Sequence, residues 1–374
     1  MKLKLLVSVL VFTFFQFLSS CSDDGISTPL NDIKLEQEID RICDSVISNT
    51  KLPGMLVGVW DKKHRLNYLK GHGLANKENS TPMTSDLLFR IGSNTKSFVI
   101  TRILQLVDEK KISLYDKLSK YYPDFPKSDL ITVKMLCDMS SGIYNYTESS
   151  EFANIIENNP LHKWTIEEYL DIAKKYNFYF EPGSGIKYSN TNTVLLEGIV
   201  EKLDNDKLRN VLKNKIFDKY GLSNTYFPSD NKMPSQHYVH GYANYTDTLK
   251  FDDDVSESFD LSWCSGAGAI ISDINDLRKW VTLLIDGGLI SDSLQTQRFE
   301  GTNLQGNNAK YAQGIFTYLG TDMWGHNGGL PGYTSVMMRH KTLDRTIVIF
   351  YNMQGKPTPD DLFRRLNKLL ESWE

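Results

Sequence analysis

What most restricts this chain is where its two kinds of apolar spacing fall. Strand-like runs sit near both ends. "MLVGVW" (55–60) and "LNYLKG" (66–71) flank the charged turn "DKKHR", and "GAIIS" (268–272), "SVMMRH" (335–340) and "RTIVIFYN" (345–352) lie far downstream. Between them, residues 93–110, 130–139, 165–176, 192–204 and 206–220 carry apolar side chains at helical spacing. Further helices are expected at 33–48, 273–286 and 359–371. A sheet built from both chain ends needs the middle to be looped out. The expected fold is therefore α/β plus all-α: an antiparallel sheet flanked by helices, with an inserted helical domain. The sheet domain is placed at 33–90 and 265–374 and the mainly helical insert at 91–264, with a cleft between them. At 374 residues and 40% hydrophobic, the chain has the apolar content for such a core.

Residues 1–20 stand apart from that fold. Lys2 and Lys4 precede the apolar run "LLVSVLVFTFFQFL", which is short for a membrane helix and suits a secretory signal. "LSSC", ending at Cys21, resembles the cleavage box of bacterial lipoproteins. That resemblance implies a lipid on Cys21 and an exported, membrane-anchored protein facing the periplasm or the cell surface. A plain signal peptide is the alternative. Residues 21–32, polar with Gly and Pro, read as a flexible tether. Without residues 1–20 the chain carries 40 basic and 46 acidic side chains and no basic block, so no nucleic-acid partner is expected. Cys43, Cys137 and Cys264 cannot all pair and form no CxxC; they are expected as buried thiols.

Ser93 opens a long amphipathic stretch, with Lys96 three places on and therefore on the same helical face. A serine hydroxyl is a weak nucleophile until a base takes its proton. Lysine, with a usual pKa of about 10.4, leaves roughly one amine in 2,500 neutral at pH 7. Burial can lower that value by about 3–5 units, so a buried Lys96 can act as base. The pattern Ser-x-x-Lys also occurs at Ser48, Ser184 and Ser229. Only Ser93 precedes a run of Phe98, Val99, Ile103, Leu106 and Val107 at helical spacing, where free N–H groups can meet an oxyanion. Taken alone, Ser93 also reads as a helix-capping serine.

Two more clusters bear on the choice. In "EPGSGIKYSN" (181–190), Tyr188 and Asn190 would point the same way from an extended segment. In "WGHNGGLPGY" (324–333), His326 and its glycines precede the strand "SVMMRH". Taken singly, these read as a core tyrosine and a loop histidine. In the order Ser-x-x-Lys, Tyr-x-Asn, His-x-Gly, the three motifs resemble the penicillin-recognising serine hydrolases: class C β-lactamases, D-alanyl-D-alanine carboxypeptidases and related esterases. The flanks "LQLVDEKKISLYDKLSKYYPDFP", "ITVKMLCDMSSGIYNY" and "GAGAIISDINDLRKWVTLLIDGGLIS" are similar to that family too, so the resemblance spans 33–374.

The resemblance implies a β-lactamase/transpeptidase-like fold and acyl transfer. Ser93 would attack a carbonyl, with Lys96 and Tyr188 sharing the general-base work. Asn190 would orient the substrate and Lys96, and His326 would donate toward a substrate carboxylate or Tyr188. The backbone N–H groups of Ser93 and Gly329 would form the oxyanion hole. Asn327, Gly328, Tyr144 and Asn145 would line the substrate. The implied partner is a small peptide, ester or β-lactam; no cofactor and no metal is implied. His326 stands where β-lactamases usually carry lysine, and Asn327 where a hydroxyl usually helps grip a carboxylate. The leading expectation is a D-alanyl-D-alanine carboxypeptidase-like or D-amino-acid peptide hydrolase. An esterase or β-lactamase on the same scaffold is the alternative, and a non-hydrolytic penicillin-binding protein is the reading of another class. "HYVH" (237–240) and Asp252 to Asp254 read as polar surface rather than metal ligands. The oligomeric state cannot be read from the sequence.

Overall fold

The computed structural model describes residues 30–242, 253–304 and 308–373. Cys21 and the whole leader lie outside them. Nine strands form one antiparallel sheet: β1 (Gly54–Asp61), β2 (Leu66–Asn76), β3 (Thr81–Pro82), β6 (Thr302–Asn303), β7 (Ala309–Tyr311), β8 (Phe316–Tyr318), β9 (Met323–Leu330), β10 (Tyr333–His340) and β11 (Arg345–Tyr351). Their order is β3-β2-β1-β11-β10-β9-β8-β7-β6. The chain's early strands thus join its late ones where β1 pairs β11, with Val57 opposite Ile349. The antiparallel sheet with an inserted helical region, expected from sequence, is what the chain forms.

Every residue of β1 is buried, because the sheet is covered on both faces. Alternate residues then serve opposite layers. Met55, Val57 and Val59 pack with Leu35 and Ile39 of α1 (Leu30–Asn49) and Leu362 and Leu366 of α11 (Pro359–Ser372). Leu56, with Val348 and Phe350 of β11, faces the other core, which holds Phe98 and Trp280. α11 starts cleanly: Thr358 and Asp361 cap each other's backbone, and Pro359 needs no hydrogen-bond partner in the first turn.

The helical excursion leaves and returns at one point. β4 (Phe89–Arg90) pairs β5 (Ile271–Ser272), and the Ile91 amide donates to Ile270 O at 3.0 Å. Between them run α2 (Thr95–Asp108), α3 (Val133–Cys137), α4 (Ser150–Asn158), α5 (Ile166–Lys174), α6 (Asn190–Asp204), α7 (Leu208–Leu212) and α8 (Asp218–Tyr220). α9 (Ile274–Asp286) and α10 (Asp292–Arg298) follow. α2 is buried on nearly every side. Phe98 stacks on Trp280 of α9 with ring centres 3.9 Å apart, and Arg102 is held by Asp204 and Glu109.

Several local readings need correction. Helix α1 begins at Leu30, inside the stretch expected to be tether. "GAIIS" contributes only a two-residue strand to the small β4–β5 sheet, because Ser265–Ala267 forms a 3₁₀ turn just before it. The glycine-rich segment ahead of "SVMMRH", where His326 taken singly reads as a loop histidine, is strand β9, paired along its length with β10. Its glycines are there for close approach: a Cβ on Gly325 would sit 1.9 Å from Met337 O. The expected helix 206–220 is broken by a wide π turn at Lys213–Phe217. Cys43, Cys137 and Cys264 are buried and unpaired, as expected.

Candidate active site

Ser93 sits in a 3₁₀ turn, Gly92–Asn94, that leads into α2. The turn is fixed from both sides. Thr95 Oγ1 donates to Gly92 O at 2.7 Å, and the Asn94 amide donates to Ile91 O and Ser335 Oγ, both at 2.7 Å. Gly92 has φ +55°, and a Cβ there would lie 2.6 Å from Gly329 N. A Cβ on Gly328 would lie 2.0 Å from Ile91 O. Missing side chains at both positions let β9 run against the Ser93 turn, and so bring Gly329 N beside it.

Lys96, the second residue of α2, is wholly buried. Its Nζ donates to Ser93 Oγ at 3.0 Å and to Ala267 O at 2.7 Å, and lies 4.8 Å from the centre of the Tyr188 ring. Loss of hydration disfavours the ammonium and lowers its pKa to about 7. The Tyr188 phenol shifts the other way: burial raises it, and a hydrogen bond with Ser93 offsets part of that rise. The site therefore holds an amine that can lose its proton near neutrality beside a phenol that keeps its own. The other Ser-x-x-Lys serines differ in setting: Ser48 and Ser184 donate their hydroxyls to Asp44 O and Glu181 O.

Asn190 departs from expectation. Ser189 is extended, but Asn190 begins α6, so the alternation that would align it with Tyr188 breaks there. Its side chain donates to Thr147 Oγ1 at 3.1 Å, while Ala267 O takes the place expected of it on Lys96. Tyr144 is also placed differently, stacked on Tyr176 with ring centres 4.2 Å apart and lining neither cavity of the cleft. Asn145 lines neither, and its side-chain oxygen accepts from the Asn190 backbone N–H at 3.1 Å. It supports Asn190 from behind.

His326, on β9, is buried and neutral. Burial and the nearby Lys96 charge lower its pKa to about 3. Its Nδ1 lies 2.6 Å from Asn327 O, which makes it the donor; Nε2 then accepts from Tyr311 OH at 3.3 Å. Its ring lines the cleft 6.4 Å from that of Tyr188, but its N–H is spent on its own strand. The expected donation to a substrate carboxylate is not what this arrangement provides. Asn327 turns its amide to Asp360 Oδ1 at 2.9 Å, and Tyr318 OH donates to the same oxygen.

Two cavities meet at Gly329. One, about 690 Å³, is lined by Ser93, Tyr188, His326, Asn327, Gly328 and Asp360 among others. The second, about 310 Å³, is mostly apolar, with Phe152, Ile156, Phe259, Trp263 and Leu330 around Asn190. Both are of a size suited to small ligands.

Sequence reasoning missed Glu197. It is buried on α6, accepting from Ser265 Oγ at 2.6 Å and from the Gly266 amide at 2.9 Å. Burial raises its carboxyl to about 7. These bonds fix the turn whose next residue, Ala267, receives the Lys96 amine; Ser265 is held there at φ +31°. The signal was present as a single charge within the apolar run "VLLEGIV". The histidines of "HYVH" were read without acidic neighbours. The fold brings Glu78 and Asp254 to His240, with their ligating atoms within 4.8 Å of one another. His240 Nδ1 there pairs with Asp254 at 2.6 Å, and Glu78 accepts from Tyr242 OH at 2.8 Å, so each of the three already has a partner.

The family model described as Beta-lactamase matches residues 35–371. Penicillin-binding protein 4* of Bacillus subtilis (strain 168) is 26% identical over 301 residues, covering 77% of this chain. The chain spans 64–65% of the length of the curated relatives it matches first. The D-amino acid amidase from Ochrobactrum anthropi SV3, complexed with D-phenylalanine, superposes with a TM-score of 0.81 at 24% identity, over 91% of this chain and all of that one. EstCE1, described as a hydrolase with promiscuous acyltransferase activity, gives 0.74 at 18% identity over 90% and 98% of the two chains. These likenesses establish a shared fold, the β-lactamase/transpeptidase-like one expected. Because the family model runs from α1 to the last turn of α11 and takes in every strand of the sheet, the chain belongs to the Beta-lactamase family.

Proposed function

We propose that the protein is a serine hydrolase working through an acyl-enzyme on an amide or ester of a D-amino acid or short peptide. The observation that carries this reading is the 3.0 Å contact between Ser93 Oγ and a buried Lys96 amine whose pKa is lowered to about 7. Neutral Lys96 takes the Ser93 proton as Oγ bonds to the carbonyl carbon. The N–H groups of Ser93 and Gly329 face the developing oxyanion. Tyr188 passes its phenol proton to the leaving group as that group's bond to carbon breaks, and takes the proton now on Lys96 in its place, so the phenol ends the step protonated. Water then attacks the ester on Ser93 by the reverse relay, releasing the acid and the free serine. Support for the substrate class comes from the shared fold with a D-amino acid amidase and with an esterase-type hydrolase.

The test is a parallel assay of a D-amino-acid amide, a p-nitrophenyl ester, a D-alanyl-D-alanine peptide and a chromogenic cephalosporin, with Ser93→Ala as control. Hydrolysis of the amide or ester by wild type alone is expected. Binding of a fluorescent penicillin without turnover of any substrate would favour the non-hydrolytic reading. We further propose export and lipid anchoring through Cys21. Radiolabelled palmitate should enter the wild type and not Cys21→Ala; equal labelling would refute the anchor.

A further inference from the structure

The two cavities meeting at Gly329 differ in chemistry, and the acid–base groups say which part of a substrate enters each. A leaving group must be protonated as its bond breaks. Tyr188, the group placed to do this, lines the larger cavity together with Ser93, whereas Asn190 lines the smaller apolar one. On the proposed hydrolase reading, on which this inference rests, the acyl side chain lies in the apolar cavity and the leaving group in the larger one.

A free carboxylate on that leaving group would need a buried cation or a set of unengaged donors. The wall offers something different. His326, two residues before Gly328 on β9, is neutral and gives its N–H to Asn327 O. The Asn327 amide, the nearest side-chain donor along the strand, is bound by Asp360 at 2.9 Å. Asp360 also receives Tyr318 OH and is largely buried; burial raises its pKa, the hydrogen bonds from Tyr318 and Asn327 oppose that rise, and the charge they stabilise is poorly screened. Two cations line the same cavity. Arg364 is paired with Asp361 at 2.5 Å and lies over the Tyr318 ring, and Lys356 is exposed, where solvent weakens its pull.

We infer that the leaving-group half of the cleft accepts uncharged alcohols or amines and discriminates against a leaving group ending in a free carboxylate, with Asp360, held by Asn327 and Tyr318, as the discriminating side chain. The chain is then built to release neutral groups from apolar acyl donors rather than to trim a terminal amino acid from a peptide.

A matched pair of esters tests this: N-phenylacetyl-D-alanyl-D-lactate and the corresponding lactamide, which differ only in the charge of the leaving group. For wild type, kcat/KM should favour the lactamide by at least about tenfold, a modest demand on two like charges a few ångströms apart. Asp360→Asn should bring the ratio toward one, mainly through KM for the lactate. The ratio is read within one preparation, so a partly misfolded variant does not distort it. Equal rates, faster lactate turnover, or an unchanged ratio in Asp360→Asn would overturn the inference. So would hydrolysis of neither ester while the p-nitrophenyl ester is still cleaved. Loss of that last activity in wild type would instead sink the hydrolase reading itself.

Discussion

At the scale of single residues, the account turns on how burial retunes a lysine. An exposed Lys96 would be useless as a base at neutral pH; wholly buried, its amine titrates near 7. The neutral form is the active one, so kcat/KM for a neutral ester should rise with pH and level off above an apparent pKa of about 7. Lys96→Arg keeps a cation that cannot deprotonate in this range. It should lower kcat/KM by about 10²–10⁴ and abolish the rising limb. A variant with the wild-type profile would remove Lys96 from the base role. The Ser93–Lys96 pair was legible because both partners lie on one helix, three residues apart. Asn190 and His326 were harder. What each side chain does depends on which neighbour reaches it first, and Thr147 and Tyr311 lie outside the motifs that hold Asn190 and His326.

At the scale of elements, α6 and the Ser265–Ala267 turn form a support behind Lys96. Glu197 joins them, and its carboxyl is raised from 4.5 to about 7. A raised acid favours the folded state most below its unfolded pKa, and that contribution is lost as pH rises through the folded value. The wild type should therefore lose stability relative to Glu197→Gln between pH 4.5 and 7, by on the order of 3 kcal/mol. Melting temperatures of the two proteins across that range check it; parallel curves would mean that Glu197 does not titrate as described. Elements with strong periodicity, such as α2, α9, β1 and β11, could be read from sequence. β9 could not, because the glycines that let it pass the Ser93 turn erase the alternation that marks a strand. The short strands β6 to β8 carry too few residues to show a period.

At the scale of the whole molecule, the strands from both chain ends and the inserted helices share one core. Phe89, Val348 and Phe350 of the strands pack in the same cluster as Phe98, Leu196 and Trp280. Loss of ellipticity, of tryptophan fluorescence and of ester hydrolysis on heating should therefore coincide. Trp280→Ala, which removes the ring stacked on Phe98, should lower stability by about 3–5 kcal/mol and shift all three signals together. Separate transitions would show that the sheet and the helical insert melt independently. The sheet-plus-insert plan was legible because strand and helix spacings occupy different stretches of the chain. The division of the cleft into an apolar and an acid-lined half was not, since it depends on Asp360, at the start of α11, meeting Asn327 of β9. The most direct test of the whole is peptide-resolved mass spectrometry after rapid acid quench of the protein with a slowly released ester or β-lactam. An acyl adduct on the peptide containing Ser93, present in wild type and absent from Ser93→Ala, is the predicted result. An adduct on another residue, or labelling that survives Ser93→Ala, would contradict it.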